Sequence, residues 1–466
     1  MKKLKQILCT IISACIIFML MPTITFEVSA DVWNGTADTA WYTANPAATS
    51  FTIDTAEELA GLASLVNAGT DTFSGNTVTL GANIILNDTS NFSNWGATSP
   101  ANIFPVIGIT ISDPNGNFFQ GTFDGDGHSI TGLYVNNSSR NYVGLFDTLT
   151  STSTVKNLIL NSCYISGYES VGGIAGYSAG TISGCSVSGV VKGSEYMVGG
   201  ITGNSAGTIS GCANFANISG VHKVGGITGT LSASTAIIYD CYNTGSISGS
   251  GVQDSDNFSD TGGILGDDAD STTANCYNLG NVSGTNGVGG IGGFISGTVT
   301  NCYSAGSVTG TANFGGIVGS FLGTVSYSYW NSDKFSGGGT GDTGTLTDCA
   351  SKTTTEMKAT NFVTLLNTNK GTYSSWKAVT NGYPTFGTPV TTYTVTFDSK
   401  GGSAVSPLTN IASGSTIAEP TEPTPPADKS DFTFWGWYTS ETDYKKETKW
   451  NFATNTVTSN ITLYAC

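Results

Sequence analysis

The sequence is poor in the residues that build catalytic, metal-binding and nucleic-acid sites. Only 11% of its 466 residues are charged, and it contains two histidines. Arg140 is the only arginine and the net charge is −16, so a basic stripe for phosphate contacts is missing and nucleic acid is a poor partner. Cys-x-x-Cys pairs, His-Glu-x-x-His and Gly-Lys-Ser/Thr loops are also missing, which argues against zinc sites, zinc peptidases and phosphate-binding loops.

Long apolar runs are missing after residue 21. The first 30 residues combine Lys2, Lys3 and Lys5, an apolar stretch from Ile7 to Met21, and the small-residue site Val28-Ser29-Ala30. This order is typical of a cleaved secretory signal, so we predict that residues 1–30 are a signal peptide and that the mature chain has no membrane span. Lipidation at Cys15, after Ile12-Ser13-Ala14, is the alternative.

What the chain does have is a repeated phrase, an apolar residue followed by Gly-Gly-Ile-x-Gly. It recurs about every 27 residues, with one longer step where an insertion lies near Ser250 to Asp260. A fixed period in this range indicates stacked units that bury their apolar faces against each other. A degenerate first copy lies at 143–146, and the full copies are Val171–Gly176, Val198–Gly203, Val224–Gly229, Gly262–Gly266, Val288–Gly293 and Phe314–Gly319.

Each repeat carries three short strand signals separated by Gly, Ser and Asn. We therefore predict a mainly β chain: a three-sided parallel β-helix, or solenoid, with Ile and Val inside and Gly supplying positive φ at corners. The repeats occupy 142–330. Residues 31–141 are predicted to form an N-terminal cap with the first irregular coils, and 331–392 a C-terminal cap. Capping boxes at Thr55–Glu58 and Thr353–Glu356 predict a helix in each.

Cysteines recur once per repeat at a similar distance after the glycine phrase: Cys185, Cys212, Cys241, Cys276 and Cys302, with Cys163 in the comparable place of the first copy and Ser328 in that of the last. They predict a column of stacked side chains. Because stacked side chains point the same way, free buried thiols are favoured over disulfides between neighbouring coils.

From about Tyr393 the repeats stop, and lysines and prolines become frequent, which indicates a separate small domain at 393–466. The Gly-Gly-Ile-x-Gly phrase followed by Thr-Ile-Ser-Gly-Cys or Asn-Cys-Tyr resembles the GLUG motif of bacterial exported proteins. Residues 393–466 resemble the internalin-type B repeat, through Val395-Thr396-Phe397-Asp398, Phe434-Trp435-Gly436-Trp437-Tyr438, Trp450-Asn451-Phe452 and Ile461–Ala465. The usual Lys-Trp ending is replaced by Cys466, which leaves open whether further repeats or a wall anchor follow.

The resemblance implies a β-grasp-like C-terminal module of Gram-positive surface proteins. We therefore expect an exported cell-surface or cell-envelope protein, an adhesin-like stalk that binds an extracellular glycan or a surface protein. We expect no catalytic, cofactor-binding or metal-ligating residues. The alternative is a polysaccharide-degrading enzyme on the β-helix.

That alternative would depend on Asp124, Asp126 and His128, whose alternate spacing would place them on one side of a strand. A polar turn is the favoured interpretation. Two further sets are favoured as structural: an acidic set that could bind calcium (Asp254, Asp256, Asp260, Asp267, Asp268 and Asp270) and the Gly-rich run Gly337–Asp342. Among Trp435, Trp437 and Trp450, core packing is favoured, and Trp435 is the best candidate for a surface position that stacks on a sugar.

Overall fold

A computed structural model describes residues 32–112, 115–251, 259–342, 344–386, 392–412, 416–426, 433–442, 448–452, 455–457 and 460–466. It confirms the predicted fold class: the chain is mainly β, with a parallel β-solenoid and a small C-terminal β-sheet domain. The predicted signal peptide, and most of the insertion at 250–260, lie outside the described residues.

The solenoid consists of four parallel sheets, so a turn contains more and shorter strands than the three predicted. The described strands of sheet I number ten, one per turn, and at about 4.8 Å per turn they extend for roughly 45 Å. Its strands are Ser50–Ile53, Thr77–Leu80, Thr122–Asp124, Thr154–Lys156, Thr181–Ser183, Thr208–Ser210, Ile237–Tyr239, Thr272–Ala274, Thr298–Thr300 and Thr324–Ser326.

The described strands of sheet II come two to a turn in five turns and one to a turn in five others. Sheets III and IV lie on either side of the Gly-Gly-Ile phrase. The strands of sheet II are Ile84–Ile85, Ser129–Thr131, Tyr134–Asn136, Ile159–Gly167, Ser186–Gly193, Ala213–Asn214, Asn217–Gly220, Tyr242–Asn243, Ile247–Gly249, Tyr277–Asn278, Val282–Ser283, Tyr303–Ser304, Val308–Thr309, Tyr329–Asn331 and Ala350–Lys352. Those of sheet III are Val171–Gly172, Tyr196–Gly199, His222–Gly225, Thr261–Gly262, Asn286–Gly289 and Ala312–Gly315. Those of sheet IV are Phe146–Leu149, Ala175–Ser178, Thr202–Ser205, Thr228–Leu231, Leu265–Asp268, Gly292–Ile295 and Val318–Phe321.

The isoleucines of the phrase form a continuous column inside the solenoid. The Ile201 N–H donates to the Ile227 carbonyl at 2.9 Å, and the Ile264 N–H donates to that of Ile291 at 2.8 Å. Burial of each such side chain contributes about 1.5–3 kcal/mol. The predicted stacking of the repeats is therefore confirmed, since every member of this column has zero exposure: Ile174, Ile201, Ile227, Ile264, Ile291 and Ile317.

The glycines of the phrase are required by close packing. A Cβ on Gly200 would lie 2.3 Å from both the Gly226 carbonyl oxygen and Asn214 Oδ1. The prediction that corner glycines supply positive φ is confirmed at the corner after sheet I for Gly184 and Gly211. In most other turns Asn or Asp holds this position, since these residues tolerate positive φ better than other side chains do. This corner holds Asn157, Gly184, Gly211, Asp240, Asn275, Asn301, Tyr327 and Asp348, with φ between 47° and 62°.

The predicted cysteine column exists, and its thiols are free. The Cys212 N–H donates to Cys241 Sγ at 3.3 Å, and each thiol donates within its own turn, as Cys212 does to the Ser210 carbonyl at 3.3 Å. The assignment of Cys163 to the column is wrong: Cys163 pairs with Gly189, and Leu158 occupies the equivalent position. Cys349, reached by the Ser328 N–H at 3.4 Å, extends the column instead.

The first capping box begins a helix at the predicted place. Helix α1 is Ala40–Thr43 and α2 is Ala56–Asn67, in which Thr55 and Glu58 cap each other reciprocally. The second capping box is also confirmed, but its helix is interrupted at Ala359, which separates α3 (Thr354–Met357) from α4 (Thr360–Asn369). A short 3₁₀ helix spans Phe92–Asn94.

Residues 354–386 pack along the side of the solenoid. They cover an outward-facing column in sheet II in which the rings of Tyr242 and Tyr277 stack at 4.8 Å and those of Tyr277 and Tyr303 at 5.2 Å. Ser374 Oγ donates to Asp240 at 2.7 Å, and this contact fixes the segment to the corner of the solenoid. Trp376–Lys377 and Thr385–Phe386 form an antiparallel pair within it, and Ile109–Ser112 with Asn115–Asn117 form another near the N-terminus.

The C-terminal domain is a four-stranded mixed sheet with strands Thr392–Asp398, Leu408–Ala412, Trp437–Tyr438 and Ile461–Ala465. Thr392–Asp398 pairs in parallel with Ile461–Ala465 and antiparallel with Leu408–Ala412. Val395, Trp437 and Leu463 are fully buried and form the centre of a separate hydrophobic core.

We predict that Gly200→Ala lowers the free energy of unfolding by about 1–3 kcal/mol, because the new Cβ overlaps a carbonyl oxygen of the next turn. Gly211→Asn is the matched control: its φ of 60° suits Asn, and the nearest atom to a Cβ is 3.7 Å away. The control should change stability by less than about 0.5 kcal/mol. Urea unfolding followed by far-UV circular dichroism measures both, and equal effects would contradict the packing role of the phrase.

We also predict the order in which thiols react in the folded chain. Cys466 is exposed, whereas Cys212 and Cys241 are buried. Burial raises the pKa of the Cys349 thiol, at the end of the column, to about 11, and that of Cys163, outside the column, to about 12, so these two thiols hold little thiolate at pH 8. Iodoacetamide at pH 8, followed by peptide mapping, should modify Cys466 first and the column only after unfolding. A disulfide between Cys212 and Cys241 would contradict the stacked arrangement.

Candidate functional site

The structure does not place Asp124, Asp126 and His128 on one side of a strand. The strand ends at Asp124, and Asp126 has a φ of 49° in the turn that follows. The Asp126 N–H donates to Asp124 Oδ1 at 3.0 Å, as in an Asx turn. The prediction of a shared strand face is therefore wrong, and the favoured interpretation, a polar turn, describes the observed geometry.

Asp124 is held in its charged form. Partial burial raises its pKa, but hydrogen bonds from Lys156, the Asp126 N–H and Asn157 outweigh burial, and the net pKa is lower than usual. Lys156 Nζ lies 2.9 Å from the carboxylate. A general acid needs a raised pKa, so this carboxylate is poorly suited to protonate a leaving group.

The acidic set is divided among separate structural roles. Asp254 and Asp256 lie outside the described residues. Asp268 is buried and accepts hydrogen bonds from the Ser296 N–H and from Ser271 Oγ. Asp267 pairs with Lys223, although burial outweighs that attraction and raises its pKa. In the part of the chain that the structure describes, no group of three or more His, Cys, Asp or Glu side chains is arranged to hold a metal ion.

The Gly-rich run is also used structurally. Asp342 accepts hydrogen bonds from Thr340 Oγ1 at 2.7 Å and from the backbone N–H groups of Phe321 and Gly344, both at 2.9 Å. These contacts connect the loop to the last strand of sheet IV. Arg140 serves a similar purpose, since it contacts the buried carboxylate of Asp147 at 3.0 Å.

The three tryptophans are distributed as predicted. Trp437 is fully buried and Trp450 nearly so, while Trp435 is 70% exposed. The ring of Trp437 packs edge-on against Phe397 at 4.8 Å and Phe434 at 5.6 Å. Trp435 therefore offers an indole ring for stacking that the domain core does not use.

A column of asparagines inside the solenoid was missed by the sequence analysis. Asn214 Nδ2 donates to Asn243 Oδ1 at 2.7 Å, and Asn243 repeats the contact with Asn278 at 2.7 Å. Each Oδ1 also accepts the N–H two residues later, as at Ala216 and Gly245. The signal was present in the sequence as an Asn two residues after each of Cys212, Cys241 and Cys276.

A second group that was missed lies at the corner between sheets II and III. Burial raises the pKa of Glu169, and the charge of Glu195 in the next turn raises it further. In the turn after that, the ring of His222 stacks on Tyr196 at 4.9 Å. The buried Nδ1 of His222 has no hydrogen-bond partner among the described residues. Paired carboxylates on neighbouring turns are the most enzyme-like arrangement in the described chain.

Comparisons with known proteins agree with the two-part organisation. Residues 393–466 match the Listeria-Bacteroides repeat domain, which supports the resemblance predicted for them. Over 165 residues, 35% of the chain, the sequence is 33% identical to halomucin of Haloquadratum walsbyi, and the match covers 2% of that protein. Over 76 residues, 16% of the chain, it is 37% identical to a proposed Gly-rich membrane protein of Evansella cellulosilytica, and covers 9% of it. The chain thus spans a small part of the curated relatives that it matches.

Among solved structures, a crystal structure of a proposed immunoglobulin A1 protease from Bacteroides ovatus matches with a TM-score of 0.45 and 22% identity. The match covers 72% of this chain and 92% of that one.

We predict that Asp124→Asn removes a small, acid-sensitive contribution to stability. Because the folded-state pKa of Asp124 is lowered from 3.8, its contribution is present above pH 3.8 and is lost as the pH falls further. The ion pair is partly exposed, so the loss at pH 6 should be below about 1 kcal/mol. Urea unfolding at pH 6 and pH 3 measures it, with the exposed Asp126→Asn as control. A difference between wild type and Asp124→Asn that is as large at pH 3 as at pH 6 would contradict this assignment.

Proposed function

We propose that this chain is an exported protein of the bacterial cell surface or envelope and acts as an adhesin-like stalk, not as an enzyme. One observation carries the proposal: a rigid ten-turn solenoid is followed by a domain that matches the Listeria-Bacteroides repeat. The predicted signal peptide, the similarity to segments of halomucin and of a Gly-rich membrane protein, and the composition support export. A Gram-positive-type bacterium is the proposed source.

The architecture suits a spacer that presents a surface. Every turn adds about 4.8 Å of length without a new fold, and repeated faces suit extended ligands such as glycans or proteins. Among the described residues, no helix has the length and apolar composition needed to cross a membrane. We propose an extracellular glycan or a surface protein as the partner.

A polysaccharide-degrading enzyme is the second candidate function. The observation that favours it is the Glu169–Glu195 pair, two carboxylates on neighbouring turns. Burial and the charge of Glu195 raise the pKa of Glu169, as a general acid requires. The site for this candidate moves from Asp124, Asp126 and His128 to this corner, because Asp124 is held charged.

We predict saturable binding of the purified chain to neutral or acidic polysaccharides, without release of new reducing ends or unsaturated products. Retention on immobilised polysaccharides and analysis of the soluble products measure the two outcomes separately. Glu169→Gln and Asp126→Ala should bind as the wild type does. If the wild type releases products and Glu169→Gln does not, the chain is an enzyme and not a stalk. If Asp126→Ala abolishes the release instead, the catalytic site lies at Asp124, Asp126 and His128.

A further inference from the structure

A cleft in the described part of the chain lies beside Trp435. It has a volume of about 820 Å³, within the roughly 300–1,000 Å³ that is typical of ligand pockets. One wall comes from the C-terminal domain and includes Phe434, Trp435 and Lys449. The opposite wall is the segment Thr89–Asn94, which contains the 3₁₀ helix of the solenoid. Neither wall belongs to a repeat.

Backbone contacts around Trp435 hold its side chain at the wall of this cleft. Its N–H donates to the Cys466 carbonyl at 2.7 Å, which fixes the segment just before the strand Trp437–Tyr438. Its neighbour Gly436 has a φ of 132°, and a Cβ there would lie 2.5 Å from Cε of Lys449. The side chain of Lys449 therefore lies against Gly436, and Lys449 and Trp435 both line this wall of the cleft.

The opposite wall supplies hydroxyl and amide groups. Ser90, Asn91 and Asn94 line the cleft, and the same three residues line a neighbouring cleft of about 330 Å³. Ser90, Asn91 and Asn94 are exposed. The two clefts therefore meet along one polar ridge, which leaves room for a ligand longer than a single ring.

The charges around the cleft are mostly acidic. Glu419 and Glu422 line it. Burial raises the pKa of Glu419, the charge of Lys449 lowers it, and the charge of nearby Asp88 raises it again, so that the net pKa is higher than usual. The chain as a whole carries a net charge of −16. A polyanion such as a uronic-acid polymer would be repelled, whereas a neutral ligand would not.

We propose that this cleft binds a neutral oligosaccharide, with a sugar ring stacked on Trp435 and its hydroxyl groups hydrogen-bonded to Asn91, Asn94 and Lys449. An aromatic ring beside amide, hydroxyl and charged groups matches a sugar, which has an apolar C–H face and a polar edge. This inference rests on the surface-binding function proposed above and locates part of it in a discrete site between the domain and the first turns.

The test is calorimetric titration of the full chain with cellotetraose and chitotetraose, and with tetragalacturonate as the anionic probe. At least one neutral tetrasaccharide should bind at least tenfold more tightly than tetragalacturonate. Trp435→Ala should weaken that binding at least tenfold, Trp435→Phe less, and Asn94→Ala on the other wall by a smaller, measurable factor. Leu322→Ala is the matched control, since Leu322 is 82% exposed on the solenoid far along the chain, and it should bind as the wild type does.

Three results would overturn the proposal that this cleft binds a neutral oligosaccharide: no binding of either neutral probe, equal affinity for tetragalacturonate, or unchanged affinity in Trp435→Ala. If the wild type and Trp435→Ala bind a saccharide equally, the cleft fails while the surface-binding function stands. If the chain binds no probe but is retained on immobilised polysaccharides, the proposed cleft is again wrong while the surface-binding function stands. Because Trp435 is exposed, its variants should keep the wild-type circular dichroism spectrum, and this control separates lost binding from lost folding.

Discussion

The backbone hydrogen bonds between turns are the constraint on which the rest of this molecule depends. They place every residue about 4.8 Å from its equivalent in the next turn, so each position must hold a side chain that stacks on its own kind. Ile, Cys, Asn and Tyr satisfy this requirement in different ways, by apolar contact, N–H···S contacts, amide pairing and ring stacking. Gly200 and its equivalents satisfy it by having no side chain, because a carbonyl oxygen of the next turn occupies the space.

Features that are local or periodic could be predicted from the sequence. The Ile201 column follows from the repeat period, and the helix at Ala56–Asn67 follows from a capping box whose two partners are three residues apart. Cys163 was misplaced because it is the first cysteine after the degenerate copy at 143–146, although it follows Gly144 by 19 residues and Cys185 follows Gly172 by 13. A bulge between Leu160 and Cys163 also shifts the register of the strand. The packing of residues 354–386 along the tyrosine column could not be predicted, since it depends on contacts between segments about 100 residues apart, such as Tyr277 with Thr385.

The candidate site shows the same division. The exposure of Trp435 could be predicted, because the pattern of the domain places Trp437 and Trp450 in its core and leaves Trp435 as the candidate for a surface position. The hypothesis that Asp124, Asp126 and His128 share one face of a strand is wrong, because an Asx turn at Asp124 ends the strand before Asp126. The opposite wall of the cleft, Thr89–Asn94, is more than 300 residues from Trp435, so no local pattern connects the two.

Stacking also determines where binding chemistry can lie. Inside the solenoid, polar side chains such as Asn243 use their hydrogen-bonding groups on equivalents in adjacent turns and on their own turn, which leaves little for a ligand. On the outer face of sheet I, the repeated Thr positions form a uniform surface with little distinction between turns. The aromatic, amide and charged residues around the cleft come together where the repeat is interrupted, at Thr89–Asn94 and in the C-terminal domain. The periodic part of this chain therefore supplies length and regular faces, and the recognition proposed for the cleft depends on segments that do not repeat.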